Sequence, residues 1–147
     1  MSRTLAVLLA AGAGVLVGMQ APVNSRLGHN VGSVQAATFS FLVGSLALVL
    51  IASLFYGGLG SFANVSKAPW WALFGGLLGA VYVTVAILTV RTLGVSALTA
   101  AVIAGQLGAA VVIDRFGLLG VARQPIGAQR IVGLGLLVVG VFLVVRK

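Results

Sequence analysis

Two amide side chains stand four residues apart inside the first long apolar run, where they can offer hydrogen bonds without charge. Gln20 and Asn24 share one face if this run is a helix. Pro22 lies between them, has no N–H for the carbonyl of Gly18, and crowds that carbonyl with its ring. We therefore predict a kink at Pro22 and a freed carbonyl beside two amides, a combination suited to binding a polar solute.

Further polar side chains could extend this site. Ser40, Tyr82 and Gln106 each lie within a later apolar run, and polar groups in lipid need a partner or a water-filled cavity. A hydroxyl taken alone is expected to bond back to its own helix. For the amides the sequence leaves two interpretations open: they line a substrate path, or they join helices by contacts worth about 1 kcal/mol each.

The charged residues exclude most catalytic chemistry. The chain has one acid, Asp114, one histidine, His29, and no cysteine, too few groups for a metal cage, a two-carboxylate mechanism or thiolate chemistry. We predict that it is not an enzyme and that it uses no cofactor and no metal. Asp114 ends an apolar run beside Arg115, so we expect a local ion pair. The alternative is a proton or substrate relay that couples transport.

The position of the only acid also bears on the solute. No carboxylate lies deep in any apolar run, although a carrier of permanent cations needs a negative charge there. This pattern favours a neutral, zwitterionic or anionic solute. An aromatic face such as that of Tyr82 leaves a cation open as the alternative.

Composition places the chain in a bilayer. Of its 147 residues, 61% are hydrophobic and 7% are charged, whereas a soluble domain has about 25% charged residues. The net charge of +8 would suggest nucleic acid in a soluble protein, but the basic residues are scattered singly between apolar runs. We therefore expect loop charge at an anionic lipid surface and no nucleic-acid partner.

Five segments are long enough to cross a membrane as helices, which predicts an all-α integral membrane protein with a single transmembrane domain over residues 1–147. Ser33 is predicted to cap the second helix, Gly57 to follow its end, and Pro69 to open the third helix. The link that begins at Arg91 is very short, which predicts an antiparallel hairpin of helices three and four. The predicted spans are 4–24, 34–56, 69–90, 92–113 and 126–145.

Small residues recur in these spans. Gly14 and Gly18 form a G-x-x-x-G pair, a surface on which another helix can pack closely in lipid. We expect most of the glycines in the later spans to serve packing as well.

The basic residues divide almost evenly between the two membrane faces. An odd number of spans places the termini on opposite faces, and orientation follows the excess of Lys and Arg. The near balance predicts that the chain inserts both ways up and forms an antiparallel homodimer, with ten helices in inverted halves. The alternative is one orientation with the N-terminus inside. One face carries Arg3, Lys67, Arg115, Arg123 and Arg130, and the other carries Arg26, Arg91, Arg146 and Lys147.

Motifs in all five segments form a recognisable pattern. They are Gln20 and Asn24 before Leu27-Gly28; Ala37, Ser40-Phe41 and Gly44; Pro69-Trp70-Trp71, Gly75-Gly76 and Gly79; Gly105-Gln106, Asp114 and Phe116-Gly117; and Pro125, Arg130 and Gly133. With these motifs the chain resembles the YdcZ-like family of five-helix proteins in the drug/metabolite transporter (DMT) superfamily. The Gly-Gln…Asp…Phe-Gly block is the most specific part. Relatives often carry proline where this chain has Arg91.

The resemblance implies a half-size transporter of the bacterial inner membrane. Its fold would be one inverted-repeat half of a ten-helix transporter. Members of the family occur as dual-topology homodimers, as oppositely oriented pairs or as fused halves. The resemblance names no substrate.

We predict a multi-pass transporter that moves a small solute by alternating access. Gln20, Asn24 and Gln106 would hold the solute, and Ser40 and Tyr82 would complete the wall. One alternative is an exporter of multidrug or guanidinium-like cations, whose signature would be an acid embedded in the membrane. Another is an assembly subunit of a membrane complex that transports nothing.

Overall fold

A computed structural model of the protein describes residues 1–146, and its long elements are all helices. Each of the five long helical segments has the length and apolar composition of a membrane span, as the sequence predicts. Short 3-10 turns cover Gly60–Lys67, Trp70–Phe74 and Leu118–Gly120. The protein is therefore an all-α, five-helix membrane protein. The helices are α1 (Arg3–Val31), α2 (Ser33–Phe55), α3 (Gly75–Leu93), α4 (Val95–Phe116) and α5 (Ala128–Val145).

The chain divides into two compact units at Arg91. The first unit, residues 1–91, contains α1, α2 and nearly all of α3. The second unit begins at Thr92 and contains α4 and α5. A single transmembrane domain stays a prediction.

The first helix is longer than predicted. It begins after Ser2, whose side chain accepts a hydrogen bond from the Leu5 N–H, and it ends at Val31, well beyond the predicted end at Asn24. It continues through Pro22, because one lost backbone hydrogen bond does not end a helix when neighbouring helices pack around it. A bend at Pro22 stays a prediction.

A single residue separates α1 from α2. Gly32 has φ 94°, in the region that glycine adopts without a steric penalty, and its N–H donates to the Gly28 carbonyl. The prediction that Ser33 caps α2 was wrong. Ser33 is the first helical residue, and Gly32 caps α2 without a side-chain hydrogen bond.

The second link has glycine after α2 and proline before the third span, as predicted. Gly57 and Gly58 have φ of 73° and 85°, and the Gly58 N–H donates to the Ala52 carbonyl just past the end of α2. Pro69 then precedes a 3-10 turn in which Trp70 packs edge-to-face on Phe74, with ring centroids 6.0 Å apart. The third span therefore starts at Trp70 as a 3-10 turn and continues as α3.

The later boundaries fall a few residues after the predicted ones. Helix α3 continues to Leu93, so the third link is Gly94 alone, with φ 78°. The predicted antiparallel hairpin of α3 and α4 stays a prediction. Helix α4 ends at Phe116 before Gly117, which has left-handed φ and ψ. Helix α5 begins at Ala128 instead of at the segment after Pro125.

The core of the first unit lies where α1, α2 and α3 meet near the first link. Ala36 and Ala37 of α2 pack with Val83 and Ile87 of α3, and Ile87 is fully buried. The small alanine side chains leave room for Val83 and Ile87 to pack against α2. This junction positions the polar residues of α1 described next.

Candidate solute-binding site

Two polar side chains of α1 are buried in the first unit. Asn24 is 5% exposed and Ser25 is 6% exposed. They belong to a stripe with Ala21 and Gly28, whose spacing of three and four residues marks one face of a helix. This stripe is the face of α1 that packs inside the unit.

The amide nitrogen of Asn24 has no hydrogen-bond partner within residues 1–146. A buried donor left unpaired costs about 1–3 kcal/mol, and lipid supplies no water to relieve that cost. An amide that carries this cost in the resting protein is suited to donate to a ligand. Asn24 therefore satisfies one requirement of the predicted site.

Arg91, in the last turn of α3, is docked on the residue next to Asn24. Its Nε donates to the Ser25 hydroxyl over 3.1 Å, and its Nη2 donates to the Ser25 carbonyl over 3.0 Å. Both bonds fix the planar guanidinium against α1. Because they use only part of the five-donor fork, the remaining N–H groups are available to a ligand.

Gly28 makes this approach of α3 to α1 feasible. A Cβ at this position would lie 3.3 Å from Ile87 Cγ2 and 3.4 Å from Arg91 Nη2. Because Gly28 has no side chain, Ile87 and the Arg91 guanidinium can occupy the space beside its Cα. A larger residue would crowd both. The buried junction and the docked arginine depend on the same glycine.

The two amides of α1, Gln20 and Asn24, differ in their exposure. Gln20 is exposed on α1, whereas Asn24 is buried. Successive residues of an α-helix turn by about 100°, so Gln20 is displaced by about 40° from Asn24 and falls just outside the buried stripe. The two residues share a face of α1, as predicted, but the edge of the buried stripe passes between them.

Ser40 and Tyr82 are partly buried in the first unit. Tyr82 packs against the apolar cluster of Ala36, Ala37, Val83 and Ile87. Neither Ser40 nor Tyr82 lines the groove of about 370 Å³ between α2 and α3. That groove is lined by Val34, Ala37, Thr38, Phe41, Leu42, Ser45, Ala80 and Thr84.

The two threonines of this groove bond to their own helices. Thr38 donates to the Val34 carbonyl over 3.0 Å, and Thr84 donates to the Ala80 carbonyl over 2.8 Å. For these two threonines the expectation that an isolated hydroxyl bonds back to its own helix is confirmed. Because both protons are already used, the threonines offer a ligand only acceptor oxygens.

Gln106 is exposed on α4 in the second unit. Two apolar grooves between α4 and α5, of about 330 and 250 Å³, do not include it. Their linings are aliphatic side chains and glycines, among them Ile103, Leu137 and Val141. Within the second unit, Gln106 thus faces away from both grooves.

Asp114 forms its ion pair with Arg130, sixteen residues further along the chain. An ion pair of Asp114 was expected, but its partner is Arg130 and not the neighbouring Arg115. The link between α4 and α5 folds back onto the end of α4 through two hydrogen bonds. The Gln124 N–H donates to the Asp114 carbonyl over 2.8 Å, and Arg123 Nε donates to the Arg115 carbonyl over 2.8 Å. These bonds bring the start of α5 to Asp114.

Arg91 is the residue of this site that the sequence analysis missed, since it entered only as a basic charge, as the start of the third link and as a difference from relatives. A charged side chain at the end of a span does not by itself indicate a binding site. The role of Arg91 becomes visible only when packing brings α3 to Ser25 of α1, 66 residues away in the sequence. Among the predicted site residues, only Asn24 adjoins Ser25, on which this arginine is docked. The roles of Gln20, Ser40, Tyr82 and Gln106 stay predictions.

Comparison with known proteins identifies the family. No curated protein and no solved structure matches the chain. One family model, described as "Putative inner membrane exporter, YdcZ", matches residues 5–143, which is nearly the full length and covers every span. The chain therefore belongs to the DMT_YdcZ family and is a multi-pass transporter of the inner membrane.

Proposed function

We propose that the chain is one half of a symmetric carrier, which moves a small solute by alternating access as an antiparallel homodimer with dual topology. Asn24 carries the proposal, because its buried amide donor has no partner within residues 1–146. A hydrogen-bond donor kept unpaired inside a spanning helix is typical of a ligand path. The solute is neutral, zwitterionic or anionic.

A second copy of the chain accounts for the exposed amides. Gln20 and Gln106 are exposed on spanning helices, and an amide facing acyl chains would cost several kcal/mol. In a dimer both residues can face a shared polar path. Gln20, Asn24 and Gln106 then hold the solute, with Ser40 and Tyr82 in its wall.

The glycine faces of α1 support close packing with that second copy. Apart from the chain neighbours and the nearby backbone of α1, no atom of residues 1–91 lies within 4 Å of a Cβ built on Gly14 or Gly18. The pair therefore has no packing partner inside its own unit, while small residues at this spacing favour backbone contact between helices in lipid. Pro22 follows one turn later and allows α1 to bend as the carrier opens and closes.

The charge distribution favours opposite orientations of the two copies. Arg26 and Arg91 lie near helix ends on one predicted face, and Lys67 and Arg115 lie near helix ends on the other. Counted over the whole chain, the two faces carry four and five basic residues. Such a small excess gives little preference for either orientation, and opposite copies build the inverted repeats common in transporters.

The ion pair of the only acid disfavours an exporter of permanent cations. Asp114 is bound to Arg130, so its charge is already neutralised within the second unit. Cation binding would have to displace an arginine. The pair leaves Asp114 a structural role at the α4–α5 link.

Transport by reconstituted protein tests the proposal. A thermal-shift screen of the purified protein against small metabolites identifies candidate solutes, and uptake of a labelled hit into proteoliposomes measures flux. Asn24→Ala should lose uptake, while Asn64→Ala, an exposed amide in the second link, should retain it. Equal uptake by both variants would count against the proposed path.

A further inference from the structure

The first unit carries positively charged side chains and no negatively charged ones. Residues 1–91 include four basic residues and no acid. The only acid of the chain is Asp114, and it is paired with Arg130. No acidic side chain of the first unit can therefore pair with its basic residues.

Arg91 is the basic residue of this unit that the protein holds in place. The two bonds to Ser25 orient its guanidinium, whereas an unrestrained lysine or arginine would have to lose side-chain freedom on binding. Arg91 remains exposed, and no other hydrogen bond or salt bridge involves its side chain within residues 1–146. It thus presents fixed donors, with a full positive charge, on an accessible surface.

Asn24 adds an unpaired donor on the residue that precedes Ser25, to which this guanidinium is bonded. It precedes Ser25 in α1 and lies one turn before Gly28, and a Cβ on Gly28 would touch Arg91 Nη2. Residues four apart on a helix lie on one face, about 6 Å apart. A donor that is 95% buried without a partner and a docked guanidinium therefore occur within one helical turn.

From this arrangement we propose that Arg91 and Asn24, with Ser25 as the support of Arg91, form a binding site for a phosphate group. The unpaired N–H groups of the Arg91 guanidinium and of the Asn24 amide suit an oxyanion, whose oxygens accept several hydrogen bonds. The planar fork of an arginine binds phosphate through two parallel bonds. The proposal deepens the proposed function and rests on it where the solute is concerned, because Asn24 belongs to the proposed solute path.

Two sources could supply the phosphate group. Arg91 is in the last turn of α3, where a spanning helix reaches the headgroup region, so the phosphate of an anionic phospholipid is one source. A phosphorylated or inorganic solute entering the path is the other. The chemistry at the site is shared by both.

Binding to purified protein tests the site separately from transport. In a maltoside detergent, which contains no phosphate, we would measure the shift in Tm with inorganic phosphate against chloride at equal ionic strength. A parallel series would add dilute phosphatidylglycerol and record bound lipid by native mass spectrometry. We expect phosphate, phosphatidylglycerol or both to bind the wild type.

Matched variants identify the residues responsible. Arg91→Gln should weaken binding about tenfold or more, since it removes charge-assisted bonds. Arg26→Gln removes the same charge from an exposed position of α1 and should leave binding unchanged. Arg91→Lys keeps the charge but loses the fork, and we expect weakened binding even if Arg91→Gln fails to fold.

The outcomes distinguish the two sources and the two proposals. Arg91-dependent binding of free phosphate supports a phosphorylated solute, and Arg91-dependent binding of lipid alone supports a headgroup site. Failure of both ligands to bind, or equal binding by wild type, Arg91→Gln and Arg91→Lys, overturns the phosphate site. Flux in proteoliposomes is measured independently, so loss of the phosphate site with intact uptake would leave the proposed transporter standing.

Discussion

Asp114 and Arg130 are joined by an ion pair that closes the link between α4 and α5. Their side chains are 22% and 39% exposed, so solvent screens the pair only in part. The backbone bond from Gln124 to Asp114 reinforces the same closure. The only acid of the chain thus holds the start of α5 against the end of α4.

This relationship predicts a structural role for Asp114. Arg130→Ala and Asp114→Asn should each lower the free energy of unfolding by on the order of 1 kcal/mol, because the pair is partly exposed. Arg115→Ala is the matched control, since the structure gives the Arg115 side chain no such partner. Thermal unfolding in detergent measures the differences, and a double-mutant cycle of Asp114 and Arg130 should give non-additive effects.

The same pair makes a second prediction about coupling. If Asp114 only holds the link, Asp114→Asn should keep most of the uptake and its dependence on an imposed proton gradient. Uptake at matched protein amounts, with and without the gradient, provides the measurement. Loss of proton dependence with intact folding would assign Asp114 the relay role instead.

Gly28 should be intolerant of substitution. Gly28→Ala places a Cβ 3.3 Å from Ile87 Cγ2, so Ile87 has to move or the helices must separate. Overpacking of this kind costs about 1–3 kcal/mol, and Gly28→Val should cost more. The control is Gly12→Ala, where the Cβ meets nothing within 4 Å among residues 1–91 and alanine favours the helix. A Gly28→Ala protein as stable as the wild type would contradict the packing described.

Gly14 and Gly18 should matter for the dimer and not for the fold of one copy. For Gly14→Leu and Gly18→Leu, the Cβ meets nothing within 4 Å in the first unit outside α1, so we expect the thermal stability of the monomer to be unchanged. The bulky side chains should instead weaken association, because they keep α1 away from a partner helix. Crosslinking yield or native mass spectrometry measures the dimer. Gly12→Leu, on the opposite side of α1, serves as the control, and equal dimer in all variants would remove this face from the interface.

The sequence predicts the spans well and their contacts poorly. Five apolar runs suffice to place five helices. Gly57, Gly94 and Gly117 follow the ends of α2, α3 and α4, and their positive φ values are backbone conformations that glycine favours locally. The end of α1 was predicted too early, since the polar residues after Asn24 resemble a turn. In the structure Ser25 and Gly28 are buried against α3, and that burial maintains the helix to Val31.

The site shows the same limit. Helical periodicity places Gln20 and Asn24 about 40° apart, but it cannot say where the buried stripe ends. The bond from Arg91 to Ser25 joins residues 66 positions apart, and the pair of Asp114 with Arg130 depends on a returning link. Both contacts arise from tertiary packing, so local sequence patterns do not reveal them.

Orientation of the chain in the membrane is the most direct test of the symmetric carrier. The protein has no cysteine, so Asn64→Cys, in the exposed second link, gives a single labelling site without further changes. A membrane-impermeant maleimide applied to intact cells, compared with permeabilised cells, reports the fraction facing outward. Near-balanced basic residues predict labelling of about half the molecules in intact cells. Labelling of all molecules or of none would show a single orientation and contradict the antiparallel homodimer.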